Sequence, residues 1–155
     1  MTKVLIFAAM IWTFGGLAAF AGPKDVVLYK NPQCSCCEGY ADYLRTNGYS
    51  VTVKPTHNLS LIKRRNGVPE QFDGCHTSLI DGYVVEGHVP VGTLNRLLSE
   101  RPNIKGISLP GMPMGSPGMT GRKEAPFEIH QFSADGKTKL FRSPMKVSSE
   151  LYFFG

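Results

Sequence analysis

Three of the four cysteines in the chain fall inside one tetrapeptide, Cys34-Ser35-Cys36-Cys37, and the fourth, Cys75, is followed directly by His76. A thiol can be a nucleophile, a disulfide partner or a soft metal ligand, and in each role the reacting species is the thiolate. Two thiolates about 4 Å apart repel by about 4 kcal/mol at an effective dielectric near 20. A cluster this dense must therefore be protonated, oxidised or neutralised by a cation. Four cysteines allow three pairings. A Cys36–Cys37 bond closes a strained ring and Cys34–Cys36 one nearly as tight, so Cys34–Cys37 with Cys36–Cys75 is the one relaxed set. Cys34 and Cys37 also have the spacing of a redox-active pair, Cys34 attacking and Cys37 resolving. Metal competes with that reading, because the same spacing serves both roles.

The remaining soft donors favour metal. Met112, Met114 and Met119 sit in the Gly/Pro-rich stretch LPGMPMGSPGM, where no helical or strand period gives a thioether a core to fill. A methionine plug over an apolar groove is the ordinary alternative for any one of them. Thioethers and thiolates together select Cu(I), and a thioether binds without losing a proton. Of the histidines, His88 in VEGHVP is the stronger ligand candidate. His76 is the weaker, since strand alternation would turn it away from Cys75, and His57 and His130 are read as ordinary surface or core residues.

These residues need elements to hold them. DVVLYK, residues 25–30, reads as a buried strand, and the cysteines open the helix that follows, which Asn47-Gly48 stops. The first turn of that helix offers unpaired amides and the positive end of the dipole, both of which favour thiolate. Cys36 and Cys37 stand about 100° apart around a regular helix, so the three sulfurs converge only if the helix starts late. Residues 49–55 alternate as a second strand, 58–67 form a short amphipathic helix, and 75–87 form a hairpin around Asp81-Gly82. Residues 92–102 give a third helix with Leu94, Leu97 and Leu98 on one face. The order β-α-β-α-β-β-α with cysteines between the first strand and helix is thioredoxin-like, with a mixed four-stranded sheet. Residues 107–126 are too rich in Gly and Pro for regular structure, and a second hairpin turns at Asp135-Gly136. The expected organisation is a thioredoxin-like domain over 22–104 and a Met-rich loop with a β-hairpin extension over 105–145.

The ends read separately. Lys3, an apolar run from Val4 to Phe20 and Ala19-Phe20-Ala21 have the form of a secretory signal peptide over 1–21. The run is short and broken by Gly15 and Gly16 for a membrane anchor. The last residues, SSELYFFG, partly match the recognition sequence of a tag-removal protease, and 146–155 are set aside as a tail. Seventeen basic against twelve acidic residues give a net charge of +5. The single basic cluster, Lys63-Arg64-Arg65, has no aromatic residues interleaved and reads as a solvated helix face, which argues against nucleic-acid binding.

CSCC, CHTSLIDGYVVEGHVP and LPGMPMGSPGM together resemble the periplasmic copper-resistance CopG family over roughly residues 25–142. The resemblance implies a thioredoxin domain whose C-terminal extension helps hold a cysteine-bridged cluster of several copper ions. It also implies copper tolerance by interconverting Cu(I) and Cu(II) in the periplasm. No second apolar run is long enough to cross a bilayer, so the chain is expected to be free of the membrane once the leader is removed, and a monomer is expected. A copper efflux system or an electron donor or acceptor would be its partner. On the family's motifs, Cys34, Cys36, Cys37, Cys75, His88, Met112 and Met119 are the ligands, while Met114 falls at a freer position. A thiol–disulfide oxidoreductase using Cys34 and Cys37, and a passive Cu(I) carrier, are the alternatives.

Overall fold

The computed structural model describes Gly22 and residues 24–141. The expected leader at 1–21 and the tail at 146–155 lie outside the described residues. In chain order the elements are β1 (Lys24–Lys30), α1 (Ser35–Thr46), β2 (Tyr49–Pro55), α2 (Leu59–Arg65), a 3-10 turn (Glu70–Phe72), β3 (His76–Ile80), β4 (Tyr83–Glu86), α3 (Val91–Glu100), β5 (Gly106–Ser108), β6 (His130–Phe132) and β7 (Thr138–Leu140). The protein is a mixed α/β fold.

Local chemistry accounts for most boundaries. β1 alternates, with Val26, Leu28 and Lys30 buried and the residues between them less so, as a pleated strand requires. α1 ends where Gly48 takes φ 85°. The β3–β4 turn places both Asp81 (φ 47°) and Gly82 (φ 85°) in the left-handed region, the requirement that made the hairpin legible. α3 ends at Arg101, also left-handed, ahead of Pro102, which cannot continue it.

The sheet corrects the expected four strands to seven, in the order β2-β1-β3-β4-β5-β6-β7. β2 runs parallel to β1, and β3 and β4 are antiparallel to their predecessors. β5 overlaps the start of the stretch expected to be irregular, at residues 107 and 108, and it pairs parallel to β4, Val84 opposite Gly106, and antiparallel to β6. The C-terminal hairpin is therefore a continuation of the main sheet. β5 is only three residues long but wholly buried, and its glycine permits the approach: a Cβ on Gly106 would lie 2.1 Å from the Val84 carbonyl oxygen.

One face of the sheet packs against α1 and α3 through Leu28, Tyr40, Leu44, Ile80, Val85, Leu94, Leu97 and Ile107. A smaller cluster of Val68, Phe72, Val84 and Phe132 covers the other face. Lys63 departs from the solvated face expected of it. Its side chain is buried and ion-paired with Glu86 on β4, whereas Arg64 and Arg65 are exposed.

Candidate metal centre

β1 runs into a turn at its end, and Cys34 stands as the N-cap of α1 with extended backbone (φ −77°, ψ 95°). The helix starts at Ser35, so Cys34 lies outside it and its side chain is not tied to the helical period. That late start removes the angular obstacle: the sulfurs of Cys34, Cys36, Cys37 and Cys75 all lie within 4.8 Å of one another. Cys34 and Cys37 are joined in a disulfide with Cα atoms 5.5 Å apart, while Cys36 and Cys75 are free. Of the two bridges in the relaxed set, one is formed. Cys36 Sγ lies 3.4 Å from Cys34 Sγ. Cys37 is fully buried, and the other three are half-buried.

A residue that the sequence did not single out holds this turn. Lys30 is 2% exposed, and its Nζ donates to the carbonyls of Asn31 (3.3 Å), Pro32 (3.2 Å) and Cys34 (3.2 Å). It also pairs with Glu38 at 3.0 Å. An ammonium has only donors to offer, and here they converge on the backbone that presents the cysteines.

Cys75 enters from the opposite side. β3 begins at His76, so Cys75 precedes the strand and the alternation expected to separate the two side chains does not apply. His76 Nδ1 is 3.4 Å from Cys75 Sγ and His88 Nε2 is 3.3 Å from it. The two imidazoles are 5.0 Å apart, fully buried, and packed on Tyr40 at 4.7 and 5.0 Å. Tyr40 in turn donates its hydroxyl to Val89 O at 2.8 Å.

The far nitrogen of His88, Nδ1, lies 2.7 Å from Pro117 O. A carbonyl only accepts, so Nδ1 carries the proton and Nε2 turns its lone pair toward Cys75. Burial, reinforced by His88 and Lys63, holds His76 well below the usual imidazole range. Burial also lowers His88, against the pull of the Pro117 carbonyl. Both rings are thus neutral at pH 7, the ligating form. Burial first, then Cys36, pushes the Cys75 thiol up to about 12, so without a cation it stays protonated. His76 Nε2 meets no partner at full hydrogen-bond geometry among the described residues, although the nearby Gly87 backbone pulls the His76 pKa up against burial.

Behind Cys75, Glu86 fixes the strand entry. Its Oε1 accepts from Gly74 N at 2.7 Å and from Lys63, and its Oε2 accepts from Thr77 at 2.8 Å. Burial pushes the Glu86 carboxyl up while Lys63 and these donors draw it down.

The Met-rich segment meets the site at one place. Gly118 lies against α1 so closely that a Cβ on it would stand 2.4 Å from Tyr40 N, and one on Gly39 would stand 2.5 Å from Gly118 O. This brings Met119 beside Cys36: Ser35, Cys36, Gly118, Met119 and Thr120 line a cleft of about 320 Å³. Met112 is 38% exposed at φ 44° and does not line that cleft. Met114, 55% exposed, lines a separate cleft of about 340 Å³ that also contains His130. His57 is exposed, as expected.

The donor set is thus four sulfurs on one side and two neutral imidazoles on the other, with Cys75 common to both. Four soft donors fit monovalent copper, provided the Cys34–Cys37 bond is opened so that both sulfurs can carry thiolate charge.

A family described as "Protein of unknown function, DUF411" matches residues 72–119, which span Cys75, His88 and the methionines. No curated protein matches the chain. Two solved structures do, described as "Copper resistance protein copG", Form 2 and Form 1. Each is 34% identical to this chain over 76% of its length, with TM-scores of 0.71 and 0.70, and the match covers 95% and 94% of those chains.

Proposed function

The chain belongs to the family of copper resistance protein CopG, and on that premise we propose that it is an exported copper-binding protein. In this reading several copper ions are held by bridging thiolates, and the protein contributes to copper resistance by cycling them between Cu(I) and Cu(II). The observation that carries it is the convergence of four sulfurs within 4.8 Å. Four thiolates bring four negative charges, which one monovalent ion does not balance and several do. The half of the fold formed by β1 to α3 we read as thioredoxin-like, an arrangement that delivers Cys34, Cys36 and Cys37 at a helix start. No helix among the described residues is long and apolar enough to cross a membrane.

Copper so bound supplies a one-electron couple, and the protein's own groups do the rest. Cys36 and Cys75, being free thiols, would be the sulfurs available without reduction. Cys34 and Cys37 would become available once their disulfide is reduced to two thiols by two electrons and two protons from a thiol-class reductant. His88, its tautomer set by Pro117, would add a nitrogen from the buried side, and Met119, in the same cleft as Cys36, would offer a neutral thioether. Lys30 and Glu86 keep the two halves of the sulfur set in place.

The test is anaerobic loading of the reduced protein with Cu(I), reading metal per chain by elemental analysis alongside free thiols. More than one copper per chain with all four thiols protected is the expected result. A single ion, or none, removes the cluster.

A second reading rests on the disulfide itself. Cys34–Cys37 at the start of α1, with Cys34 half-buried and Cys37 fully buried, has the asymmetry of an attacked and a resolving sulfur. It expects metal-free protein to reduce or oxidise a model disulfide catalytically, and the copper reading expects it to be inert.

A further inference from the structure

We infer that Met114 and His130 form a second copper site, a weak one for Cu(I), in the cleft beside β6 and apart from the sulfur cluster. The inference rests on the copper reading and adds to it a site that contains no thiol, where the ion is held by a thioether and an imidazole.

Neither residue is tied to the cysteines. Met114 and His130 line one cleft of about 340 Å³, and none of the residues lining it lines the cleft beside Cys36. The other walls are mainly proline, leucine and phenylalanine, which offer a metal nothing. The thioether, the imidazole and the carboxylates of Glu124 and Glu128 are the only side-chain donors lining the space. Both principal donors are fixed by their surroundings. His130 opens β6, opposite Ser108 on β5 and Leu140 on β7, and its ring packs on Phe72 with centroids 4.9 Å apart. Met114 lies over Gly121, where a Cβ would stand 2.5 Å from its Cε, and a Cβ on Gly115 would stand 2.4 Å from Lys123 N. Two glycines thus let the chain fold back on itself and seat the thioether, which is nonetheless 55% exposed. A side chain so exposed gains little from burial, so core packing does not account for its place beside an imidazole.

The donor types choose the ion. A thioether selects Cu(I), and imidazole suits copper as well. Among the described residues no three His, Cys or carboxylate groups converge here as they do around Cys75. A zinc-like ion that wants four firm ligands is therefore not served, whereas a soft monovalent ion, stable with few ligands, is. Glu124 and Glu128 bring two negative charges to the cleft against one positive, the Lys123 ammonium 4.4 Å from the centre of the Phe127 ring. The balance attracts a cation. Without a thiolate the site is weaker than the cluster and fills after it. The segment that lines this cleft at Met114 lines the cleft beside Cys36 at Met119, so one stretch of chain serves both sites.

Ag(I) is the probe, being redox-inert and taken by the same donors as Cu(I). Reduced protein is titrated until its thiols are saturated and then further, while NMR follows the methionine methyl carbons and the histidine ring nitrogens. One further Ag(I) per chain is expected to move the Met114 methyl and the His130 ring together, with the Met112 methyl unmoved. Met114→Leu and His130→Gln should each weaken that last ion by at least about 10-fold, the scale on which even an outer partner of a ligand counts. In each variant the response of the other donor should go as well. Met114→Leu conserves volume at an exposed position, so it answers the question even if His130→Gln does not fold. A silent pair of signals, a His130 response that survives Met114→Leu, or a Met114 response unchanged in folded His130→Gln overturns the inference. The ions taken up at the thiols are counted in the same titration. Several ions there with no later response at Met114 and His130 sinks this site alone, and that response with one thiol-bound ion or none sinks the cluster alone.

Discussion

Individual residues here do two kinds of work, offering lone pairs and fixing the backbone that carries them. The two buried imidazoles have a measurable signature. Both are held below the ordinary imidazole value by burial, so as pH falls through about 6.5 the unfolded chain takes up protons that the fold excludes. Stability of the metal-free protein should be flat above that pH and decline below it, down to the depressed folded values. Urea unfolding at pH 7.5, 6.5 and 5.5 reads the slope, and equal stability at all three would contradict the neutral assignment. Lys63 gives a second prediction. Removing it as Lys63→Ala strands Glu86 in the interior, and a broken buried pair costs about 3–5 kcal/mol, against near-neutrality for Arg64→Ala on the exposed side of the same helix. Denaturant titration of the two variants separates a buried lysine from the solvated one the sequence suggests. Lys63 was illegible because its partner is Glu86, 23 residues away, whereas a Lys-Arg-Arg run looks locally like any charged helix face. His76 was misjudged for a similar reason: alternation governs a strand, and Cys75 stands just outside it.

At the scale of elements, what could be read in advance was what local chemistry dictates. The Asp81-Gly82 turn, the stop at Asn47-Gly48 and the stop of α3 before Pro102 each follow from two or three adjacent residues. β5 does not, because three residues in a Gly/Pro-rich context become a strand only through a parallel partner, β4, reached across α3. The cysteine turn was half legible. Cys34, Cys36, Cys37 and Cys75 could be named, but their convergence depends on α1 starting one residue after Cys34 and on Lys30 gripping the turn from below. The Met-rich stretch was placed correctly as irregular, and it brings Met119 to Cys36 while leaving Met112 at the surface. Its docking depends on two glycines face to face. Gly118→Ala would put a methyl group 2.4 Å from Tyr40 N at φ 74°, and the left-handed backbone alone costs about 1–2 kcal/mol. The variant should lose roughly 2 kcal/mol or more, and NMR should show the His88 Nδ1 proton signal shifted or exchange-broadened. Gly136→Ala, at a turn with open space around it, should keep that signal.

The proposed function asks the whole molecule to tolerate two states of its sulfur. Cys34 and Cys37 are three residues apart, and closing so short a loop restricts the unfolded chain by only about 2 kcal/mol. That is a small part of the 5–15 kcal/mol usual for a domain, most of which here comes from the sheet and the helices covering it. Reduced metal-free protein should therefore keep its far-ultraviolet circular dichroism and a single cooperative transition at a somewhat lower Tm. Collapse on reduction would mean that the bridge is structural and that its sulfurs are not spare. The contact between Pro117 and His88 ties the histidine tautomer to the docking of the Met-rich segment. Pro117, whose carbonyl fixes the His88 tautomer, runs directly into Gly118 and Met119, which share a cleft with Cys36, so a displacement of this one segment would at once widen the cleft and free the imidazole proton to migrate to Nε2. The tautomer of His88 is thus a reporter, readable by NMR, of whether that segment is docked.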